Sequence, residues 1–369
     1  MKIGILGGGQ LARMMVQQCK MLNFDFVVLD PESHCPANQV GAEQIIGSYK
    51  NKEDIEKISK CVDVMTYDIE HINTEKLKEL NIPVRPSPQI LDVIKDKLLQ
   101  KELLKKNNIP TSNFVNSIEE GIINFNYPFV QKLRKGGYDG KGVIIIKNEK
   151  DLKEAFKEDY FIEEMVNINK ELAVIVAQDI NGNMEVYPVV EMVFDERTNM
   201  CNTVVAPAQI NNDLMEKAKE IGLKTIKALG NGAVGIFAIE MFLTNDNEIL
   251  VNEIAPRPHN SAHFTLDGCI TSQFEQHIRA IAGFPLGSPE LIMPTVMVNI
   301  IGEGNGNSKV LGLKEVLKIE GVKVHLYGKK YVKPARKMGH VNIIDKDINS
   351  AINKAEIVKK TLKVIGCQK

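Results

Sequence analysis

An α/β and α+β protein of three domains, opening on a doubly wound parallel sheet, is what this sequence predicts. Three observations carry that prediction. Over the first hundred residues short apolar runs alternate with helical spacing, the pattern of a parallel sheet covered by helices on both faces. From Tyr127 the runs lengthen and become antiparallel, with Asn181-Gly182 as a hairpin signal. Residues 233–253 then read as two apolar strands about a polar turn, each carrying one glutamate, Glu240 and Glu253.

Taken in order, residues 2–6 form a strand ending in Gly7-Gly8-Gly9, and residues 10–22 have helical spacing through Leu11, Met14, Met15, Met21 and Leu22. A strand over 24–29 closes at Asp30-Pro31; helices are expected at 54–60 and 74–80, with a strand at 62–66 between them. Pro86-Ser87-Pro88 breaks the chain. One helix then runs from about 89 to 106 and stops before Ile109-Pro110. Strands follow at 129–133, 143–146, 160–166, 171–179 and 184–192, then a helix at 212–229 and the glutamate hairpin. The tail from Pro294 is α+β, with strands at 295–301, 323–327 and 340–344, a helix near 313–317 and a closing helix. Domains are expected at 1–95, 96–180 and 181–369, the tail packed on the third.

Composition narrows the function classes. Lys and Arg number 46 against 47 Asp and Glu, so no net field favours nucleic acid or a membrane surface. No apolar run reaches the length of a membrane span, and the N-terminus turns glycine-rich too soon for a signal peptide. Six scattered cysteines without a Cys-x-x-Cys pair fit reduced thiols in a cytoplasmic protein. The absence of tryptophan argues against a base-stacking surface. No nucleic-acid or membrane partner is expected.

The hairpin carries the sharpest signal. Centring its turn on Asp246-Asn247 places Glu240 opposite Glu253. Like charges at that separation, about 5 Å between Cβ atoms, are destabilising. They persist if a cation sits between them or if they share a proton; on an exposed hairpin both would simply be solvated. Few oxygen ligands suit Mg2+, which shares itself with phosphates and water. Two glycine motifs suit phosphate. Gly7-x-Gly9-x-x-Ala12 links a strand to a helix, the arrangement of an anion site, with Asp30 placed as a ribose acid if the ligand is a dinucleotide. The segment 132–142, Lys-Leu-Arg-Lys-Gly-Gly-Tyr-Asp-Gly-Lys-Gly, joins two strands and reads as a phosphate flap with Lys132 at its base. Beyond the hairpin, Arg257, His259, Asn260 and His263 crowd a proline-stiffened segment; His259 and His263 are the histidines placed to line a site, against structural roles for His34, His71 and His277.

Together these residues resemble the N5-carboxyaminoimidazole ribonucleotide synthetase family of the ATP-grasp superfamily, over essentially the whole chain. The marks are Gly-Gly-Gly-Gln-Leu at 7–11, Leu-Asp-Pro at 29–31, Pro36-Ala37, Gly-Gly-Tyr-Asp-Gly-Lys-Gly at 136–142, Glu163-Glu-Met-Val with Glu171, Asn-Glu-Ile-Ala-Pro-Arg-Pro-His-Asn-Ser at 252–261, Ser-Gln-Phe-Glu-Gln-His-Ile-Arg-Ala at 272–280, Pro285-Leu-Gly, His325-Leu-Tyr-Gly-Lys329 and Arg336-Lys-Met-Gly-His340.

The resemblance implies an ATP-grasp fold: a Rossmann-like first domain, a small domain with the flap, and a large domain with the metal carboxylates. It implies ATP- and bicarbonate-dependent carboxylation of 5-aminoimidazole ribonucleotide through carboxyphosphate, in purine biosynthesis, by a cytoplasmic homodimer. Two Mg2+ ions are implied, Mn2+ being able to replace them, held by Glu240 and Glu253. Lys97, Lys132, Gly137, Gly140, Lys141, Glu163, Glu164, Val166, Glu171, Asn252 and Glu253 would serve ATP. Gly8, Gly9, Gln10 and Leu11 would receive the substrate phosphate with Lys329 and Arg336. Tyr138, Asp139, Arg257, His259 and Asn260 would face the imidazole and bicarbonate. Lys97, Ala12, Ala262 and Asp68 depart from the family's usual Arg, Gly, Gly and Glu. Two other readings stay open: an ATP-grasp ligase using another acid, and an NAD-dependent oxidoreductase built on the first glycine turn, which leaves the paired glutamates unexplained.

Overall fold

The computed structural model describes residues 1–136, 142–195 and 200–367. The first sheet is parallel, in the order Glu43–Ile46, Asp25–Asp30, Lys2–Leu6, Val64–Tyr67. Its buried apolar runs are what a sheet covered on both faces requires. Helix Gln10–Cys19 packs Leu11, Met14, Met15 and Val16 on one face, and helix Lys52–Ser59 contributes Ile55 and Ile58 to the other. The sequence missed the edge strand Glu43–Ile46, which alternates weakly and is half exposed.

A four-stranded antiparallel sheet follows, ordered Phe114–Val115, Tyr160–Glu164, Phe129–Leu133, Val143–Ile146. Its register puts Lys132 opposite Phe161 and Val130 opposite Glu163, so Lys132 and Glu163 share a face. Helix Ile118–Phe125 covers the opposite face, with its Gly121 seated on Ile162.

The largest sheet has twelve strands among the described residues, beginning Ile249–Ala255, Gly235–Thr244, Ile168–Gln178, Val190–Phe194, Cys201–Ala206, Thr295–Glu303. Helix Asn212–Leu229 covers one face over Val174, Val176, Phe237 and Ile239. Helix Gln273–Ala282 shares the core of the first domain through Phe274, Ile278 and Ile281. On this helix His277 is wholly buried between the first sheet and the largest one, bonded to Thr66 Oγ1 at 2.8 Å and accepting from Ile236 N at 3.0 Å, a structural histidine. Strands Cys201–Ala206, Gly306–Leu311 and Lys363–Cys367 were not foreseen. The expected strand 184–192 is two pieces, Met184–Val186 and Val190–Phe194, divided around Pro188, whose missing N–H cannot serve a ladder. Among the described residues the cysteines are free, and no helix is long and apolar enough to cross a membrane.

The single helix expected over 89–106 is two, Pro88–Ile94 and Lys97–Lys106. Asp96 breaks it. Its carboxylate accepts from the N–H groups of Leu98 and Leu99 and caps the second helix, and Arg134 grips it with Nε at 3.1 Å and Nη2 at 2.6 Å. The cap therefore ties the helix carrying Lys97 to the base of the glycine segment. Asp96→Ala should cost about 2 kcal/mol, the upper end for a lost N-cap, read as a lower midpoint in denaturant unfolding with unchanged slope.

Candidate functional site

The two glutamates meet, by a route the sequence did not show. The turn has three residues, 245–247. Thr244 N–H donates to Glu248 O at 2.9 Å, Asn247 N–H to Thr244 O at 3.1 Å, and Asn247 takes φ 59°, which asparagine tolerates. The inner pairs are Leu243 with Ile249, Phe242 with Leu250 and Met241 with Val251. Continued, that register would oppose Glu240 to Asn252. A bulge between the pairs of Met241 and Glu240 inserts Asn252 instead, and Glu240 opposes Glu253. Extra residues of this kind re-aim side chains. Glu171, opposite Phe242 on the neighbouring strand, joins the same face.

The carboxylates differ sharply in environment. Glu253 is ion-paired to Lys97. Burial alone would lower Lys97, but Glu253, with Glu70 and Glu240 behind it, leaves its pKa raised. At Glu240 the pull of Lys97 and Lys337 is outweighed. Burial, then Glu253, then Glu171 push its carboxyl up to about 7, although its side chain keeps 24% exposure. The His259 ring lies 3.6 Å from it, but burial, then Arg257, hold that imidazole well below its usual value and therefore neutral. Burial likewise lifts Glu171 to about 7 against the pull of Lys132. Two opposed carboxylates suit a hard cation that completes its shell from water and phosphate.

Glu163 behaves oppositely. It sits between two ammonium groups, Lys101 Nζ at 2.7 Å from Oε1 and Lys132 Nζ at 2.6 Å from Oε2. The Lys101 contact is an ion pair outside hydrogen-bonding angles. Burial would raise Glu163; Lys132 and Lys101 outweigh it and hold the carboxyl down at about 2. Lys132 Nζ also donates to Asn252 Oδ1 at 2.9 Å, joining the small sheet to the carboxylate hairpin. Sequence reasoning missed Lys101. The available signal was a lysine one turn beyond Lys97, between Leu98 and Leu104 on the buried side of the helix. Val143 and Ile145, opposite Lys132 and Val130, are exposed apolar side chains on the same face and were also missed. Glu164 points away, accepting from Asn113 Nδ2 at 2.7 Å, and Val166 is half-buried just past the strand.

The polar segment after the hairpin is held from behind. Arg257 pairs with Glu70 at 3.0 Å. His259 Nδ1 lies 2.9 Å from Ser261 Oγ. Asn260 forms a reciprocal amide pair with Asn299, at 2.9 and 2.7 Å, so its side chain is engaged by the tail. Gln273 accepts from His259 N and donates to His259 O, both at 2.8 Å. His263 is buried and bonded to the same glutamine at 3.0 Å. It packs against His340 with the rings 4.8 Å apart and tilted by 43°, and so supports the segment rather than lining an opening.

At the glycine turn, two expected phosphate donors are already engaged. Gly8 N–H donates to Asp30 Oδ2 at 2.8 Å and Gly9 N–H to Asp68 Oδ2 at 2.9 Å. Asp30 is thus turned inward, and Gln10 and Leu11 keep the first-turn N–H groups that no helix ladder satisfies. Gly7, at φ 98°, lies against Asp68 so closely that a Cβ would collide with its carboxylate. Burial, then Asp30, lifts Asp68 to about 7. The tail reaches the segment beside this turn: Gln39 Nε2 donates to Gly328 O at 3.0 Å, and Ala37 N–H to Gly8 O at 3.0 Å. Burial, then Arg336 and Lys337, lowers Lys329 to about 7, its ammonium donating to Lys337 O at 2.7 Å. Arg336 lies 3.9 Å from Glu32. Gly137, Tyr138, Asp139, Gly140 and Lys141 lie outside the described residues.

Three family models match: a ribonucleotide synthetase preATP-grasp domain over residues 1–95, an ATP-grasp domain over 102–274, and a phosphoribosylaminoimidazole carboxylase C-terminal domain over 295–354. The crystal structure of N5-carboxyaminoimidazole ribonucleotide synthetase from Thermotoga maritima is 50% identical, with a TM-score of 0.92 over 99% of each chain. The Aspergillus clavatus synthase in complex with ADP and 5-aminoimidazole ribonucleotide is 32% identical, with a TM-score of 0.89 over 98% of each chain. The N5-carboxyaminoimidazole ribonucleotide synthase of Staphylococcus aureus is 37% identical over 94% of this chain and 93% of its own. The chain spans 63% to 69% of the length of the yeast carboxylases it also matches.

The two buried carboxylates should answer charge removal in opposite senses. In metal-free protein at pH 8, Glu163→Gln takes the counter-charge from Lys101, which burial already lowers to about 8, and leaves its buried nitrogen poorly partnered, which should cost about 2 kcal/mol. Glu240→Gln removes a like-charge repulsion and should leave thermal stability unchanged or raise it. Differential scanning calorimetry of both variants reads the contrast.

Proposed function

The chain belongs to the N5-carboxyaminoimidazole ribonucleotide synthetase family, and we infer that it carboxylates the amine of 5-aminoimidazole ribonucleotide at the expense of ATP, with bicarbonate as the carbon source. The observation that carries this reading is the union of two sites: a carboxylate-and-lysine site at the hairpin, and a cationic tail brought to a glycine turn. An enzyme joining an acid to an amine through phosphoryl transfer needs both.

ATP is assigned to the face shared by the small sheet and the hairpin. Val143 and Ile145 offer an apolar wall to the base. Glu171 accepts from the ribose, Lys132 neutralises phosphate charge, and Lys97, Glu163, Val166 and Asn252 complete the nucleotide site, with Glu164 reaching it only through its backbone. Glu240 and Glu253 would hold Mg2+, which, when bound, neutralises charge on the β- and γ-phosphoryl oxygens. Phosphoryl transfer to bicarbonate then depends on positioning and charge more than on covalent help from the protein. Arg257, aligned by Glu70, and the neutral His259 are assigned to bicarbonate. Carboxyphosphate decays in water, so the reaction needs a dry cavity; Gly137, Tyr138, Asp139, Gly140 and Lys141 are assigned to its cover. The ribonucleotide phosphate is assigned to Gln10, Leu11, Lys329 and Arg336, with Gly8 and Gly9 shaping the turn. Asn260 is assigned to supporting that pocket through Asn299.

The three-domain division 1–95, 96–180 and 181–369, a cytoplasmic location and a homodimer are part of the same reading. Strand Ile168–Gln178, from the second segment, pairs within the large sheet.

Phosphate release from ATP tests the function: it should require bicarbonate and rise on adding 5-aminoimidazole ribonucleotide. Release driven by formate instead would point to another ATP-grasp ligase. Glu253→Gln should reduce turnover by more than about a hundredfold, the loss of roughly 3 kcal/mol of charge stabilisation. Near-normal turnover with unchanged Mg2+ dependence would refute the metal assignment. Arg336→Ala should raise the Michaelis constant for the ribonucleotide and leave that for ATP in place; the reverse pattern would misplace the phosphate pocket.

A further inference from the structure

Lys101 is a lysine almost removed from water, its side chain 2% exposed. Its ammonium is the meeting point of three parts of the fold. It donates to Thr111 Oγ1 at 2.7 Å and Ser112 Oγ at 2.8 Å in the crossing segment, and lies 3.4 Å from Val251 O of the carboxylate hairpin. It stands 2.7 Å from Glu163 Oε1 of the small sheet. The crossing segment is itself stitched to the hairpin, Thr111 Oγ1 donating to Val251 O at 2.7 Å and Val251 N–H to Pro110 O at 2.8 Å. Val251 immediately precedes Asn252 and Glu253.

Burying an ammonium is expensive, and a buried pair is weak evidence for stability as such. The arrangement suggests another use. Glu163 has two oxygens and two lysines. While Lys101 holds Oε1, only Oε2 is left for Lys132, whose ammonium keeps a second bond to Asn252. Without Lys101, both oxygens could turn to Lys132, drawing its charge into a closed pair and off Asn252.

We propose that Lys101 is a positioning residue of the nucleotide site, acting through Glu163 to fix the Lys132 ammonium against Asn252, where it presents its charge to ATP phosphate. The proposal rests on the assignment of Lys132 to ATP made above. It also gives Lys101 the task of setting the small sheet against the carboxylate hairpin, since the same ammonium touches both.

The test is steady-state kinetics on Lys101→Met, Glu163→Gln, the double variant and Lys132→Met. Lys101→Met should raise the Michaelis constant for ATP about tenfold or more, as expected when a hydrogen bond to a charged group is misplaced, and leave that for 5-aminoimidazole ribonucleotide within about twofold of wild type, a difference near experimental scatter. A residue that only stabilised the fold would shift neither constant selectively. The double variant should be no worse than the more damaged single, because both lesions act on one chain of contacts. Losses that multiply overturn the proposal. If Lys132→Met raises the ATP constant and Lys101→Met does not, the proposal fails and the nucleotide assignment stands. If Lys132→Met leaves the ATP constant unchanged, both fall. Should Lys101→Met not fold, Thr111→Val with Ser112→Ala loosens the ammonium without stranding it. That pair should raise the ATP constant about threefold, the scale of a weakened neutral acceptor, and an unchanged constant overturns the proposal.

Discussion

The repulsion between Glu240 and Glu253 is the constraint around which this molecule is arranged. A hairpin that simply continued its register from the turn would avoid it, because Glu240 would meet Asn252. One inserted residue creates the clash and places both carboxylates on the face that also carries Glu171. Lys97 neutralises one of them. The other is left with its carboxyl held up near 7 by burial, then Glu253 and Glu171, against the pull of Lys97 and Lys337.

The cations are placed to offset that repulsion only in part. Lys97 and Lys101 stand one turn apart on a helix whose start is fixed by Asp96, and Asp96 is fixed in turn by Arg134. Lys132 comes from the small sheet. Each ammonium has a carboxylate partner, yet each sits beside the hairpin rather than across it. On the far side, His259 is kept neutral by burial and by Arg257. It lies next to Glu240 as a hydrogen-bonding ring and adds no charge. The tail contributes by contact with this segment, through Asn299 on Asn260, and by bringing Lys329 to the glycine turn.

Much of this was legible in the residues. Strands Lys2–Leu6, Phe129–Leu133 and Val143–Ile146 and helix Asn212–Leu229 follow directly from apolar spacing and their flanking breakers. The glutamate pairing was found because two omissions cancelled: a turn one residue longer than assumed and a bulge one residue deep. What stayed hidden was decided by tertiary contact. The break at Asp96 depends on Arg134, distant in sequence. Lys101 reads as a solvated helical lysine until Glu163, Thr111 and Ser112 are folded around it. The N–H groups of Gly8 and Gly9 look free in a glycine turn, and only the fold shows Asp30 and Asp68 occupying them. Short weak strands such as Glu43–Ile46 and Lys363–Cys367 lack enough periodicity to announce themselves.

Direct counting of bound metal bears most closely on the opposed carboxylates. Mn2+ can be titrated by electron paramagnetic resonance with a non-hydrolysable ATP analogue present, comparing the wild-type chain with Glu240→Gln. Wild type should bind Mn2+ tightly in the ternary complex, and Glu240→Gln should lose tight binding while still taking up the nucleotide. Wild-type Mn2+ affinity in the variant would contradict a metal seat between Glu240 and Glu253.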